Sequence, residues 1–321
     1  MSRSIQEQSH TRSGFNKAGH PKEANPFFMD RWIVLRERLL NRISGINAKE
    51  VLNDYTAGTA HSFGKYPAVE LKQTLDSLKI AAIDESGDRV DYAALRLSPD
   101  YRHYRDILAP GLKSFDPMVL RSRQERLAFW INLYNALVID AVISLGTIHS
   151  VIEGTLGILT FFRRAAYNIG GFRVSLDEIE NGILRGNQGH PLIPGKQFTS
   201  NDPRKNWVIW SPEPRIHFAL NCASRSCPPI QFYSADRLDV QLDLAIRNFV
   251  DADLIINPDK QLLIVSSLFQ WYKRDFGGPA GVVSFLIDHL PLDGRRAWLS
   301  EYSDVIKLRY QPYNWGLNSV E

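Results

Sequence analysis

The sequence predicts an α+β fold in which one long buried helix packs on a small, mainly antiparallel sheet. Residues 127–142 are apolar on nearly every side of a helix, which indicates burial on nearly every side. Short runs of β-forming residues are bounded by Gly and Pro, as expected for a few short strands. Hydrophobic residues make up 44% of the 321 positions and charged residues 23%, close to globular averages, so the chain can bury a core.

Before residue 90 the pattern predicts helices and no strands. Residues 1–24 are polar, lack apolar periodicity and contain no apolar stretch of a secretory signal, so we expect a disordered tail. Residues 25–89 are expected to be a helical extension, with helices over Phe27–Ile43 and Pro67–Ile80. The first helix is amphipathic, and these apolar residues share one face: Phe28, Trp32, Leu35, Leu39 and Leu40.

Residues 90–321 are predicted to form the main domain. Its long helix covers Val119–Leu145 and stops at Gly146, because glycine readily adopts the left-handed conformation of a helix end. Ser175 and Glu178 have the spacing of a capping box at the start of another helix. Shorter helices are predicted over 91–97, 100–108, 236–250, 267–276 and 281–290, and strands over 172–174, 207–210, 216–220 and 261–265.

Charge and apolarity exclude two classes of partner. The net charge is +3, from 38 basic and 35 acidic residues, and no basic stripe is interleaved with aromatic residues, so we expect no nucleic-acid partner. The most apolar stretch, residues 127–145, is interrupted by Asn132, Asn135 and Asp140. A spanning helix needs roughly 18 or more apolar residues in a row, so we expect a buried core helix here and no membrane partner.

Cys222 and Cys227 are the only cysteines of the sequence. Two cysteines five positions apart do not make a disulfide framework, which favours a reducing compartment, and we expect a cytoplasmic location. The sequence also lacks a phosphate-binding Gly-rich loop with Lys-Ser/Thr, a Gly-x-Ser-x-Gly elbow and a His-Glu-x-x-His motif. We therefore expect no cofactor and no bound metal.

Five segments taken together resemble one family. They are Ala128–Ala136, Ser175–Arg185, His217–Pro229, Trp271–Gly277 and Tyr313–Asn318. Their order and spacing over residues 90–318 resemble the domain-of-unknown-function family numbered 547, which is found in bacteria, plants and animals. The resemblance implies no particular reaction, but the family's occurrence beside coiled-coil, DEP or glutaredoxin-like modules implies a regulatory or redox context. The last segment departs from the family pattern, in which Asp and Ser are expected near Asn314 and Gly316.

Two asparagines of the long helix are candidate binding residues. Asn132 and Asn135 fall, with Glu125, within one narrow sector of an otherwise apolar helix. Because an unpaired buried amide is costly, both side chains need partners. They either brace a loop or edge backbone, which we favour, or line a binding cleft.

The helix that begins at Ser175 supplies two more candidates. Glu180 is a candidate buried carboxylate with a catalytic role, and Arg185 can bind a carboxylate through its bidentate fork. The two residues are five positions apart and do not pair with each other along the helix. A role for these residues in a functional site and a role in structural ion pairs between elements fit the sequence equally well.

The segment His217–Pro229 contains the most reactive side chains. His217 is predicted within a strand and Cys222 at its end, where a small polar turn would expose a nucleophilic thiol, with Arg225 as a neighbouring binding residue. Odd spacing along a flat strand places His217 and Cys222 on opposite faces, so a distant base is an alternative. The other histidines considered for that role are His103, His149 and His190.

The cysteines allow four interpretations. A buried free thiol is the commonest case, followed by a nucleophile, and then by a zinc site or a redox pair, whose usual spacings are absent. We therefore expect either a thiol-dependent acyl transferase or hydrolase, acting on an amide or ester of a small molecule or peptide, or a non-catalytic interaction or scaffold domain. A cysteine segment with a central helix and a small sheet is compatible with papain- and transglutaminase-like enzymes, by analogy of fold alone.

Overall fold

The structure is a computed structural model that describes residues 26–54, 62–153 and 157–320. The predicted tail over residues 1–24 lies outside the described residues. The first helices are α1 (Pro26–Ile43), α2 (Pro67–Ala82), α3 (Tyr92–Leu97) and α4 (Pro99–His103), followed by a π-helical stretch, Tyr104–Leu108, and the single turn α5 (Ala109–Gly111). Two of these helices begin at a side-chain cap. Asp91 accepts a hydrogen bond from the Ala94 N–H at the start of α3, and Ser98 accepts one from the Tyr101 N–H at the start of α4.

The helix predicted at the start of the extension is present, but its apolar face points to solvent. Trp32 is 46% exposed and Phe28 70% exposed, whereas Ile33, the residue after Trp32, is buried. Arg36 is also buried, and it donates hydrogen bonds to the carbonyls of Pro194 and Lys196. Burial of Ile33 and the hydrogen bonds of Arg36 therefore hold α1 with its apolar face outward.

The predicted long helix is α6 (Arg123–Leu145), and every residue from Leu127 to Val142 is buried. It begins four residues later than predicted, because Pro117–Val119 form a separate 3₁₀ turn. Ser122 caps its start by accepting from the Glu125 N–H, and Gly146 ends it with φ of 68°. Among the described residues, α6 is the one helix long and apolar enough to span a membrane, and its burial is that of a core helix. It packs extensively against α2, whose leucines lie in the same core.

The strands form two small sheets. After α7 (Gly157–Arg164), strands β1 (Ala166–Ile169) and β2 (Phe172–Ser175) make an antiparallel hairpin that shares the core of α6. The later elements are α8 (Leu238–Asp253), β3 (Ile255–Asn257), β4 (Leu262–Val265), α9 (Ser267–Trp271), α10 (Gly278–His289), α11 (Gly294–Tyr302) and β5 (Lys307–Tyr310). β4 pairs antiparallel with β3 and parallel with β5. The predicted α+β class is confirmed.

The capping box predicted after β2 is also confirmed. Glu178 accepts from the Ser175 N–H at 2.9 Å, and Ser175 Oγ accepts from the Glu178 N–H at 3.3 Å. The helical turns that follow continue as a π-helix over Glu178–Leu184. π-helical turns are rare overall, and many of those known lie at functional sites.

Two predicted strands are wrong. Residues 207–210 and 216–220 lie in or beside 3₁₀-helices, Pro203–Trp207 and Pro214–Phe218. Each helix begins with a proline, whose fixed φ suits a helix start, and each is capped by the preceding carboxylate, Asp202 or Glu213. The caps override the strand-like alternation of apolar residues.

The second 3₁₀-helix joins two hydrophobic cores. Ile216 belongs to the larger core around α6, and Phe218 to a smaller core that includes residues of β4, α9 and α10. His217, between them in sequence, is thereby held at the junction of the two cores.

Candidate functional site

His217 is buried at the junction of the two cores, with its side chain 1% exposed. Its Nε2 lies 2.8 Å from Asp275 Oδ2, and its ring stacks on Tyr272 at 3.9 Å between centroids with 18° between planes. Asp275 comes from the turn between α9 and α10, so the pair joins two distant segments of the chain.

Arg185 fixes Asp275 from the other side. Its Nε and one terminal nitrogen bind the two carboxylate oxygens at 2.6 and 2.9 Å, and its second terminal nitrogen donates to Asn181 Oδ1 and the Gly189 carbonyl. Burial alone would raise the pKa of Asp275, but the hydrogen bonds from His217 and Arg185 lower this pKa to about 2. Arg185 therefore does bind a carboxylate through its fork, and that carboxylate belongs to the protein.

The His217–Asp275 pair fixes the tautomer of the imidazole. Burial lowers the pKa of His217 to about 4, although the hydrogen bond to Asp275 opposes the shift. His217 is therefore neutral near pH 7, and it donates its Nε2 proton because the carboxylate of Asp275 is ionised. Within the described part of the chain, no group hydrogen-bonds to Nδ1. Nδ1 is then the proton-accepting nitrogen.

Cys222 and Cys227 are joined in a disulfide, which corrects the expectation of free thiols. The chain folds back between them: the Cys227 N–H donates to the Ser224 carbonyl at 3.0 Å, and Ala223 has φ of 62°. This turn brings the two Cα atoms to 6.1 Å, within the range of disulfides. A five-residue spacing is therefore sufficient when the intervening chain forms a tight turn.

Hydroxyl groups surround the sulfur atoms. Ser224 Oγ lies 2.9 Å from Cys222 Sγ, and the hydroxyl of Tyr313 lies 3.2 Å from Cys222 Sγ and 3.1 Å from Cys227 Sγ. Burial raises the pKa of Tyr313, so the phenol keeps its proton and can donate. Tyr313 thus links the closing segment of the chain to both cysteines.

A cavity of about 150 Å³, called here the aromatic cavity, brings these groups together. Both cysteines and His217 line it, so they do not lie on opposite faces of a strand as the sequence suggested. One wall is aromatic: Trp271 stacks on Trp315 at 5.4 Å, and Tyr313 lies 4.6 Å from Trp315 between ring centroids. The cavity therefore combines apolar walls with a few polar groups, as small-molecule sites do.

Glu180 also lines this cavity. It accepts a hydrogen bond from the hydroxyl of Tyr134 at 3.1 Å and another, shorter one from the hydroxyl of Tyr272. Burial raises the pKa of Glu180, and these hydrogen bonds with the charge of Arg185 oppose the shift only in part. Glu180 therefore keeps its proton to a higher pH than an ordinary glutamate.

Asn132 and Asn135 hydrogen-bond to backbone groups. Asn132 makes two hydrogen bonds of 2.8 Å with the N–H and carbonyl of Tyr233. Asn135 donates to the carbonyl of Ala219 and accepts from the N–H of Asn221. The two amides thus brace the chain on both sides of the disulfide turn, as the favoured interpretation expected.

The other sequence candidates are more dispersed. Arg225 is exposed and donates to the carbonyl of Leu317, and its own N–H bonds to the Gly316 carbonyl, so it joins the cysteine turn to the end of the chain. His190 lines the aromatic cavity, and burial lowers its pKa. His103 and His149 are exposed. In residues 26–54, 62–153 and 157–320, no group of three or more His, Cys, Asp or Glu side chains is arranged to hold a metal.

Sequence reasoning did not single out several residues of the site: Tyr134, Ser224, Tyr272, Asp275 and Tyr313. All of them lie within the five segments that carry the family resemblance. Each of those segments contributes at least one residue to the aromatic cavity. The sequence indicated these residues only through their place in the family segments. It did not indicate that His217 pairs with Asp275.

The model of a family described as "Protein of unknown function, DUF547" matches residues 119–250 of the chain. The predicted resemblance is thereby confirmed over this range, which includes the first three segments; Trp271–Gly277 and Tyr313–Asn318 lie beyond it. No curated protein matches the chain, and no solved structure matches it.

Proposed function

We propose that the chain is a thiol-dependent acyl transferase or hydrolase acting on an amide or ester, with Cys222 as the nucleophile of the reduced protein and His217 as its base. One observation carries the proposal: Cys222 lines the same cavity as His217, whose imidazole is oriented by Asp275. A nucleophile, a base and a third group that orients the base recur in unrelated enzymes of acyl transfer.

The ionisation of the pair supports the role of His217. A neutral imidazole can accept the thiol proton at Nδ1, and the imidazolium that forms lies 2.8 Å from an ionised carboxylate. Arg185 keeps Asp275 ionised and in place through its two hydrogen bonds. Asp275 and Arg185 are therefore positioning residues in the proposed mechanism.

The surroundings of Cys222 support its role as the nucleophile. The hydroxyls of Ser224 and Tyr313 lie within 3.2 Å of its sulfur and can donate hydrogen bonds to a thiolate, which stabilises the charged nucleophile. Cys227 Sγ has the Tyr313 hydroxyl and the Cys222 N–H as neighbours. Cys227 is the competing nucleophile, and alanine variants of each cysteine distinguish the two.

The proposed chemistry begins with reduction. A dithiol transfers two electrons and two protons to the disulfide, so the S–S bond breaks, two thiols form, and the dithiol becomes a disulfide. Cys222 Sγ then bonds to the acyl carbon while its proton passes to His217, which returns a proton to the departing amine or alcohol. Water or an acceptor amine releases the acyl group from the thioester. Glu180, on the same cavity, is placed to bind a polar group of the substrate.

The test uses p-nitrophenyl acetate as the probe, with protein treated or untreated with dithiothreitol. We expect the reduced protein to release nitrophenol and to carry an acetyl group on Cys222, detected by mass spectrometry of peptides. Cys222→Ala should lose both signals and His217→Gln should slow them strongly, whereas Cys227→Ala, the matched control, should retain them. Full turnover by a folded Cys222→Ala protein would end the proposal.

A second candidate is a non-catalytic domain that binds a small molecule or an apolar peptide side chain. The disulfide and the aromatic wall of Trp271, Tyr313 and Trp315 favour it, because neither requires a reactive thiol. This candidate predicts that an aromatic amide such as N-acetyltyrosinamide binds the oxidised protein and is not hydrolysed by the reduced one. Calorimetric titration of both forms distinguishes the two functions.

A further inference from the structure

The outward face of α1 is a continuous apolar surface. Five large side chains, between 46% and 70% exposed, lie within an arc of about 80° around the helix axis. They are Phe28, Trp32, Leu35, Leu39 and Ile43, and together they are called the α1 stripe. Single exposed apolar residues are ordinary, but a contiguous patch marks an interaction site.

The stripe is held outward by contacts that the rest of the helix makes with the body of the protein. Ile33 is buried against the body of the protein, and Arg36 donates to the carbonyls of Pro194 and Lys196 at 2.7 and 2.8 Å. Glu37 forms an ion pair with Arg163, whose side chain is buried. Rolling the helix to bury the stripe would break all of these contacts.

Basic residues border the stripe on one side. Arg38 and Arg42 are exposed and lie along the same edge of the helix. The two acidic residues of α1 point elsewhere: Asp30 accepts from the Ser200 N–H, and Glu37 binds Arg163. The exposed side of α1 is therefore apolar with a positive edge.

We propose that α1 lies on the surface of an anionic lipid bilayer, with the stripe in the interfacial layer and the arginine edge against the headgroups. Helices that bind in this way have Trp, Phe and Leu on one face and Lys or Arg beside it. Charge favours the lipid surface, because the arginine edge is complementary to anionic headgroups, whereas a second copy of α1 presents the same positive edge and no complementary charge. Such a helix lies in the plane of the bilayer and does not span it.

The proposed surface reaches the aromatic cavity through one segment. Gly195 lies against the indole of Trp32, and Arg36 binds the carbonyls on both sides of Gly195. Three residues earlier, Leu192 lines the cavity and is 67% exposed. Docking of α1 would therefore bring the rim at Leu192 close to the bilayer.

The test is sedimentation of the full chain with vesicles of phosphatidylcholine alone or mixed with phosphatidylserine. We expect binding to the mixed vesicles and little binding to the neutral ones. Leu39→Glu should weaken binding at least tenfold. Leu244→Glu on α8 is the matched control, because Leu244 is 56% exposed and Leu39 57%. Circular dichroism and melting curves should show that both variants fold.

A second pair of variants tests the charge. Arg38→Gln should weaken binding to the mixed vesicles by about fivefold, the effect of one basic residue near an anionic surface, whereas Arg247→Gln on α8 should not. Equal binding to both vesicle types overturns the proposal, as does binding that Leu39→Glu leaves unchanged. Absence of vesicle binding overturns it too, and a dimer in light scattering that Leu39→Glu dissociates would then identify a second copy as the occupant.

Discussion

Two cavities flank the π-helical stretch Glu178–Leu184, and they differ in how their charges are paired. The aromatic cavity receives Glu180, and a second cavity of about 310 Å³ receives Glu178. The second one, called here the arginine cavity, is lined by charged residues that include Arg163, Arg173 and Arg204. The two glutamates are two positions apart in the sequence and experience opposite environments.

Cations surround Glu178. Arg204 binds its carboxylate at 2.8 Å, and the Ser175 N–H donates to it. Burial would raise the pKa of Glu178, but the charge of Arg204 and the Ser175 hydrogen bond lower it. Arg204 in turn binds Asp202 at 2.7 Å. The arginine cavity is thus a junction whose charges largely neutralise one another.

Glu180 has phenol groups where Glu178 has cations. In the part of the chain that the structure describes, no Arg, Lys or His side chain forms an ion pair with it. The pKa of Glu180 is raised because the side chain is buried and no cation in direct contact offsets its lost hydration. Asp140 is likewise buried with a raised pKa and bound by two tyrosine hydroxyls, but it lies in the core, whereas Glu180 lines a cavity. Shifted pKa values in a cleft are enriched at functional sites. The comparison therefore points to the aromatic cavity as the site and to the arginine cavity as structural support.

The largest effect should come from the ion pair behind the aromatic cavity. Asp275→Asn leaves Arg185 without a carboxylate, although both side chains are less than 5% exposed. Removing one partner of a buried pair typically costs about 3–5 kcal/mol, so the free energy of unfolding should fall by that amount. Urea melts near neutral pH measure the change. A loss below about 1 kcal/mol would show that the pair is more hydrated than its burial indicates.

Glu178→Gln should have an intermediate effect. The amide oxygen can still accept from the Ser175 N–H, but Arg204 loses one of its two carboxylates and keeps Asp202. Loss of a charged hydrogen bond is expected to lower the free energy of unfolding by about 1–3 kcal/mol. Because the folded pKa of Glu178 is lowered, the difference from wild type should shrink as the pH falls through that pKa. A difference independent of pH would contradict the ion pair.

Asn135→Leu tests the bracing of the aromatic cavity without any charge. The change leaves the carbonyl of Ala219 and the N–H of Asn221 without their buried partner. We expect a loss of about 1–3 kcal/mol in urea melts, because buried polar groups without partners keep their full desolvation penalty. Leu35→Asn on the exposed stripe is a control for the change of polarity. Equal effects of the two variants would mean that the bracing is dispensable.

The features predicted correctly from the sequence are those that local patterns determine. The burial of α6 follows from its apolarity on all sides, and the capping box of Ser175 and Glu178 from a three-residue spacing. Asn132 and Asn135 were expected to need partners because an unpaired buried amide is costly, and backbone groups supply them. In each case the physical cause lies within a few residues of the feature.

The features that were missed depend on distant contacts. The pairing of His217 with Asp275 joins positions 58 apart, and only the folded chain brings them together. The periodicity of α1 predicts an apolar face, but polar contacts of Arg36 turn that face outward. The disulfide depends on a turn at Ala223 that residue spacing alone does not reveal.

The smallest effect, and the sharpest test of the comparison, should come from Glu180→Gln. Tyr134 and Tyr272 bind different oxygens of Glu180. Gln has the shape of a protonated Glu: its amide oxygen can accept from one of the two hydroxyls, and its NH2 can donate to the other phenol oxygen, as the OH of the protonated acid does. Below the ordinary pKa of 4.5, where wild-type Glu180 is protonated, the two proteins should differ by less than about 1 kcal/mol. Because the folded pKa is raised, wild type loses stability as the pH rises through that pKa, and the variant does not.

Glu180→Gln should therefore become equal to or more stable than wild type on going from acid to about pH 7, the reverse of the trend for Glu178→Gln. Urea melts of wild type and both variants at the two pH values measure this contrast on matched substitutions two positions apart. A variant that loses most stability near pH 7 would mean that Glu180 is ionised and paired with a cation. The two cavities would then be alike in charge, and the assignment of the site to the aromatic cavity would lose its electrostatic support.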